Sequence, residues 1–292
     1  MTHISDKNSP GAPLADHAAV EWAKAYPFDV PKRSYVYCDG KAHFLENFSG
    51  GVWRDIHIQM QGRRAPLSGV LGTERMAALA CERRHAVVAC GSNGAPRRLA
   101  QKFQNRDDVV PTLRVVLKNY CIVYAAKFSA YGSIPATLVY MPGVRVITFI
   151  NLLTERQLAQ MDETETLGVA YDRPVLHDAV VTGMEGSPLP VDPALICAYV
   201  SRAGALWVDG AALALDVVEG HGVPFPKLSQ TMVQSLVRDL LCAGDSVDKF
   251  IEQNLNDPDL RAARAKELKK YWAAPPGLTA PAEQSSRGVK YE

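Results

Sequence analysis

Three runs of β-branched and aromatic residues, CIVYAAKF at 121–128, IPATLVYM at 134–141 and VRVITFINLL at 144–153, restrict the fold of this 292-residue chain more than any other feature. Such residues suit a pleated, half-buried surface, and strands this close in sequence are expected to be neighbours in space. Pro142-Gly143 predicts a tight turn, so the last two runs should form a hairpin. Two further hairpins are signalled by Asp-Gly pairs, at 39–40 within SYVYCDGKAHF and at 209–210 within LWVDGAALAL. VWRDIHIQM alternates apolar with polar, and YDRPVLHDAVVT (171–182) is strand-like before the loop GMEGSPLP.

Helical signals surround these strands. ERMAALACERR has Thr73 as its N-cap and Met76, Leu79 and Ala80 on one face. Thr154-Glu155-Arg156-Gln157 fits a capping box opening ERQLAQMDE, with Leu158 and Met161 on its apolar side. Ser229 should cap QTMVQSLVRDLLCAG, stopped by Gly244, and DSVDKFIEQNL and DPDLRAARAKELKKYW read as two more helices. The mixture is α+β. It divides into a flexible N-terminal arm (1–30), where only Val20-Glu21-Trp22-Ala23 suggests local docking and no chemistry is expected, an N-terminal accessory region (31–85), a central unit (86–192), a hairpin and helical extension (193–272) and a disordered tail (273–292).

Composition excludes several classes of function. The formal net charge is +1 and the basic residues are scattered, so no footprint for nucleic acid exists. The basic run RAARAKELKKYW reads as a solvated helix face. Six dispersed cysteines, without C-x-x-C or Cys/His spacing, read as reduced thiols and give no metal site; His43 and His57 lack a carboxylate cluster. No run approaches a membrane span and the first residues are not laid out as a secretion signal, so a cytoplasmic protein with no membrane partner is expected.

The chemistry is expected at AVVACGSNGAP (86–96), an apolar run that stops at Gly91-Ser92-Asn93 and leads into RRLAQKF. A strand running into a helix this way leaves outward-facing N–H groups at the positive end of the helix dipole. The phosphate motifs G-x-x-x-x-G-K-[ST] and G-x-G-x-x-G are missing, so a carboxylate or developing oxyanion is the better ligand. The plainer alternative is a tight turn in which Ser92 or Asn93 only caps the helix. Ser92 lacks the G-x-S-x-G setting of a nucleophile. Cys90 with His85 or His177 could imitate a thiol and base, but a cysteine ending an apolar strand is more often a core residue.

GSN, then a strand with IPATL and PG, then a helix reading LAQMDETE and a nearby tyrosine resemble, in that order, the γ-glutamylcyclotransferase-like family over residues 86–182. The resemblance implies a small mixed β-barrel, here with an added N-terminal sheet region and C-terminal helices. It implies that Cys90, Gly91, Ser92, Asn93 and Tyr171 line the substrate pocket and that Glu165, three after Asp162, is the acid/base catalyst. The substrate would be a γ-glutamyl or related amide whose own α-amine attacks the side-chain carbonyl, releasing 5-oxoproline. Such a reaction requires no cofactor and no metal, only orientation and a proton carrier. At a helix C-terminus, in an apolar pocket, Glu165 is expected to have a raised pKa; Glu163 lacks the family match and reads as a solvated helix-end charge. The family's tyrosine before GSN is Cys90 here, and its glycine after the glutamate is Thr166. Tyr131-Gly132-Ser133 repeats YGS without the asparagine and is read as a turn. An amide hydrolase and a non-catalytic binding module remain alternatives, and the flanking regions leave pocket capping, a bulky leaving group and a homo-oligomer open.

Overall fold

The computed structural model describes residues 17–46, 48, 53–60, 62–184 and 189–272. Most of the arm (1–16), the middle of the GMEGSPLP loop (185–188) and the tail (273–292) lie outside the described residues.

The chain opens with helix α1 (His17–Lys24), then the strands β1 (Tyr35–Cys38), β2 (Lys41–Glu46), β3 (His57–Met60) and β4 (Arg63–Pro66). Asp39 (φ 48°) and Gly40 (φ 74°) form the two-residue turn between β1 and β2, as their sequence requires. Helix α2 (Ser68–Cys81) starts before Thr73 and is interrupted at Gly72, whose φ of 72° is non-helical. Next come β5 (His85–Ala89), helix α3 (Pro96–Lys102) and the two longest strands, β6 (Val110–Tyr124) and β7 (Ala136–Leu153). Helix α4 (Glu155–Thr164) has the full capping box, Thr154 Oγ1 accepting from Gln157 N and Gln157 Oε1 from Thr154 N. Short strands follow: β8 (Tyr171–Asp172), β9 (Val180–Gly183), β10 (Cys197–Ala198), β11 (Val200–Ser201), β12 (Trp207–Val208), β13 (Ala211–Ala212), β14 (Ala214–Leu215), β15 (Gly220–His221) and β16 (Lys227–Leu228). Asp209-Gly210 turns β12 into β13. The Ser229-capped α5 (Gln230–Cys242), α6 (Val247–Asn256) and α7 (Pro258–Leu268) complete the fold.

The hairpin expected at Pro142-Gly143 does not form. Residues 136–153 are one strand, paired with β6 on both sides of that dipeptide, from Thr112↔Asn151 to Lys118↔Arg145 and again from Tyr120↔Tyr140 to Tyr124↔Ala136. The extra residues are absorbed by an irregularity at Asn119 (φ 67°) and Gly143 (φ 84°), where Gly143 N donates to Asn119 Oδ1 at 3.2 Å. Pro142 and Gly143 are exposed there, so a proline without an N–H costs the ladder little. The hairpin is instead β6–β7, and β6 begins at Val110, well before the expected run.

The main sheet runs β10-β5-β7-β6-β1-β2-β3-β4 and is mixed, with β10 parallel to β5 and the other pairs of that path antiparallel. Its pairing path is open, ending at β10 and β4, and does not close into the expected barrel. Both faces of its centre are covered. Alternation sends Val36, Val88, Val115 and Ile150 to one side, under α2, α5 and α7, and Tyr35, Tyr37, Val87, Val110 and Phe149 to the other, under α3 and α4. No helix among the described residues is long and apolar enough to cross a membrane.

Candidate functional site

Strand β5 delivers the chain to Cys90-Gly91, a single 3-10 turn spans Ser92–Gly94, and α3 follows. The sheet face under α3 and α4 fixes this loop. Tyr35 Oη donates to Gly94 O and Tyr37 Oη to Phe103 O, both at 2.8 Å, so β1 clamps the loop and the end of α3. Asn151, fully buried in β7, donates to Asn93 O at 3.3 Å and to Thr112 Oγ1 at 3.0 Å.

Neither Ser92 nor Asn93 caps the helix: the N-cap is Ala95, with no side-chain bond. Asn93 reaches across instead, its Nδ2 donating to Glu165 Oε1 at 3.0 Å. The amides of Gly94 and Ala95 are taken by Gly91 O and Ser92 O. Because α3 has only seven residues, its dipole adds little, contrary to the expectation from sequence.

Glu165 is the C-cap of α4. The preceding turn is tied down by Asp162, whose carboxylate receives Arg173 Nε at 2.8 Å, Arg173 Nη2 at 3.1 Å and Tyr199 Oη at 2.6 Å. A forked guanidinium fixes orientation as well as distance, so Asp162 sets the direction in which Glu165 leaves the helix. Thr166 takes φ 50°, the left-handed conformation that favours glycine, and its Oγ1 donates to Glu165 O at 2.7 Å.

All six residues singled out from the sequence, Cys90, Gly91, Ser92, Asn93, Glu165 and Tyr171, line one cavity of about 240 Å3. Sequence reasoning missed the others that matter there: Tyr26, Arg98, Lys127 and Tyr131. Arg98 lies over the Tyr131 ring at 5.2 Å and Lys127 over the Tyr171 ring at 4.3 Å. Tyr131 does belong to a turn, with Gly132 at φ 83°, but its ring forms a cavity wall. Tyr26 adds a further aromatic ring to the cavity wall, which Cys90 also lines.

Lys102 was missed behind the cavity. It is 4% exposed, and its Nζ donates to Glu165 Oε1 and, at 3.1 Å, to Met161 Sδ. Its burial was available in the sequence, since Leu99, Lys102 and Phe103 share a helical face. This lysine overturns the expected raised pKa of Glu165. Burial pushes that carboxyl upward, but the Lys102 charge, the bonds from Lys102 and Asn93 and the charge of Arg98 outweigh it, holding Glu165 below its ordinary value. Lys102 itself is lowered by burial, partly offset by Glu165. The side chain of Glu165 is 16% exposed, and both donors use Oε1; among the described residues neither reaches Oε2. Cys90 is unsuited to nucleophilic work, because burial, with the Glu165 charge, pushes its thiol up to about 12. Among the described residues no group of three or more His, Cys, Asp or Glu could hold a metal.

No family model and no curated protein matches the chain. Among solved structures it is similar to an uncharacterized protein from Homo sapiens, at 13% identity and a TM-score of 0.34 over 65% of this chain and 89% of that one. It is also similar to a gamma-glutamyl cyclotransferase, at 12% identity and a TM-score of 0.33 over 65% and 88% of the respective chains.

Proposed function

We propose that this cavity cyclises a γ-glutamyl amide or a related acyl-amine, releasing 5-oxoproline and an amine or amino acid. The observation that carries the reading is the Glu165 carboxylate, bonded to Asn93 of the loop and facing the same cavity as Gly91 and Ser92. The substrate brings its own nucleophile, so the protein has only to orient it and move a proton. Three cations, Lys102, Arg98 and Lys127, surround one carboxylate and favour the uncharged form of the substrate's amine. The amine nitrogen adds to the side-chain carbonyl carbon. Glu165, ionised at neutral pH, accepts the proton through Oε2 and returns it to the departing nitrogen as the amide C–N bond breaks.

A second reading is favoured by the Lys102 contact. An ion pair that neutralises the proposed base would equally serve a non-catalytic module that binds small acids or amides. Product analysis on a panel of γ-glutamyl compounds separates these, with 5-oxoproline supporting cyclisation, an open-chain acid indicating hydrolysis by water in the same pocket, and no turnover indicating a binding module. On the cyclisation reading, Glu165→Gln lowers turnover by about 10²–10⁴-fold while leaving substrate affinity nearly unchanged. A variant that keeps its turnover refutes the role of Glu165.

A further inference from the structure

Tyr26 lies outside residues 86–182, in the N-terminal arm, where no chemistry is expected from the sequence. It is 6% exposed and lines the cavity that holds Glu165. The Ala136 N–H donates to its Oη at 2.7 Å. A phenol that accepts one bond still has its own proton to give, and among the described residues no acceptor takes it. Burial, with the nearby Tyr131, Tyr171 and Cys90, pushes its pKa well above the ordinary value, so the hydroxyl stays protonated at any working pH.

The hydroxyl is packed directly on the substrate loop. A Cβ on Gly91 would stand 2.0 Å from Tyr26 Oη and 3.1 Å from Cζ, so the tyrosine can occupy this position only because residue 91 is glycine. The space taken by Tyr26 is thus a requirement for glycine at this position. The donor thus sits where the loop, Ala136 and the cavity meet, on a residue held by a main-chain bond.

We propose that Tyr26 is a further catalytic residue of this site, its hydroxyl donating to the acyl oxygen of the substrate. The proposal rests on the cyclisation reading. As the amine nitrogen bonds to the carbonyl carbon, the π pair moves onto oxygen, where the Tyr26 O–H stabilises it. When the pair returns, the amide C–N bond breaks and Glu165 protonates the leaving nitrogen. A donor aimed at charge that develops only in the transition state acts on kcat more than on substrate binding.

The test is 5-oxoproline release by the full chain, with kcat and KM measured for wild type, Tyr26→Phe, Gly91→Ala and the double variant. Tyr26→Phe keeps the ring and should lower kcat by about 10²–10³-fold with KM changed less than about threefold. Gly91→Ala leaves the hydroxyl on Tyr26 but forces it aside, so it should lower kcat similarly, and the double variant should lose little more than either single one. Thermal unfolding of each variant checks that the fold is retained. A Tyr26→Phe enzyme with wild-type kcat, a change confined to KM, or multiplicative losses in the double variant overturns the proposal while leaving cyclisation intact. Wild-type protein that forms no 5-oxoproline from any panel compound overturns cyclisation, and this role for Tyr26 with it.

Discussion

Replacing Lys102 with methionine should reverse the way this protein's stability responds to acid. The side chain is 2% exposed and its partner Glu165 16%, so the substitution leaves a nearly dry carboxylate facing Asn93, Cys90, Tyr131 and Tyr171, with Arg98 and Lys127 the remaining cations nearby. Breaking a buried ion pair by removing one partner costs about 3–5 kcal/mol. At a few degrees per kcal/mol for a chain of this size, that lowers the unfolding midpoint by roughly 10 °C at pH 7. The wild-type folded pKa of Glu165 is depressed, so the stability it contributes is present above its unfolded value of about 4.3 and is lost as pH falls through the folded value. Without Lys102, burial dominates and the folded value rises above the unfolded one. The variant is then destabilised at neutral pH and regains stability as Glu165 takes up a proton. Thermal melts of both proteins from pH 7.5 to 4.5 should show the gap narrowing toward acid. A gap that is constant across this range, or a variant as stable as wild type at pH 7, would refute the account of Glu165 as an anion held by Lys102.

Two further outcomes follow from the same site. Asp162→Asn weakens the grip of Arg173 and Tyr199 on the end of α4 and should cost about 1–3 kcal/mol in a urea titration; unchanged stability would mean that the network does not hold the helix end. Among the cysteines, Cys81 is exposed and Cys90 is pushed up to about 12, so iodoacetamide at pH 8 should label Cys81 well before Cys90, as peptide mass mapping can show. Early labelling of Cys90 would point to an activated thiol.

Local chemistry determined much of this protein by itself. The Asp-Gly turns at 39–40 and 209–210 and the capping box at Thr154 depend on residues adjacent in sequence, so they could be read directly. The same holds for the Ser229 cap and for α6 and α7, whose signals lie within their own turns. Pro142-Gly143 shows the limit of such reading: as a dipeptide it signals a turn, but β6 continues alongside and holds the strand through it, a long-range pairing that no local window contains. The loop at 91–93 and Glu165 could be named from their motif order, whereas the state of that carboxyl could not. It is set by Lys102, 63 residues away in sequence, and the cavity's wall by Tyr26, which lies 110 residues before its bonding partner Ala136. Charge and solvation depend on distance in space: packing of α3 against α4 brought Lys102 to Glu165, whereas Tyr26 and Ala136 meet in the core on the other side of the sheet.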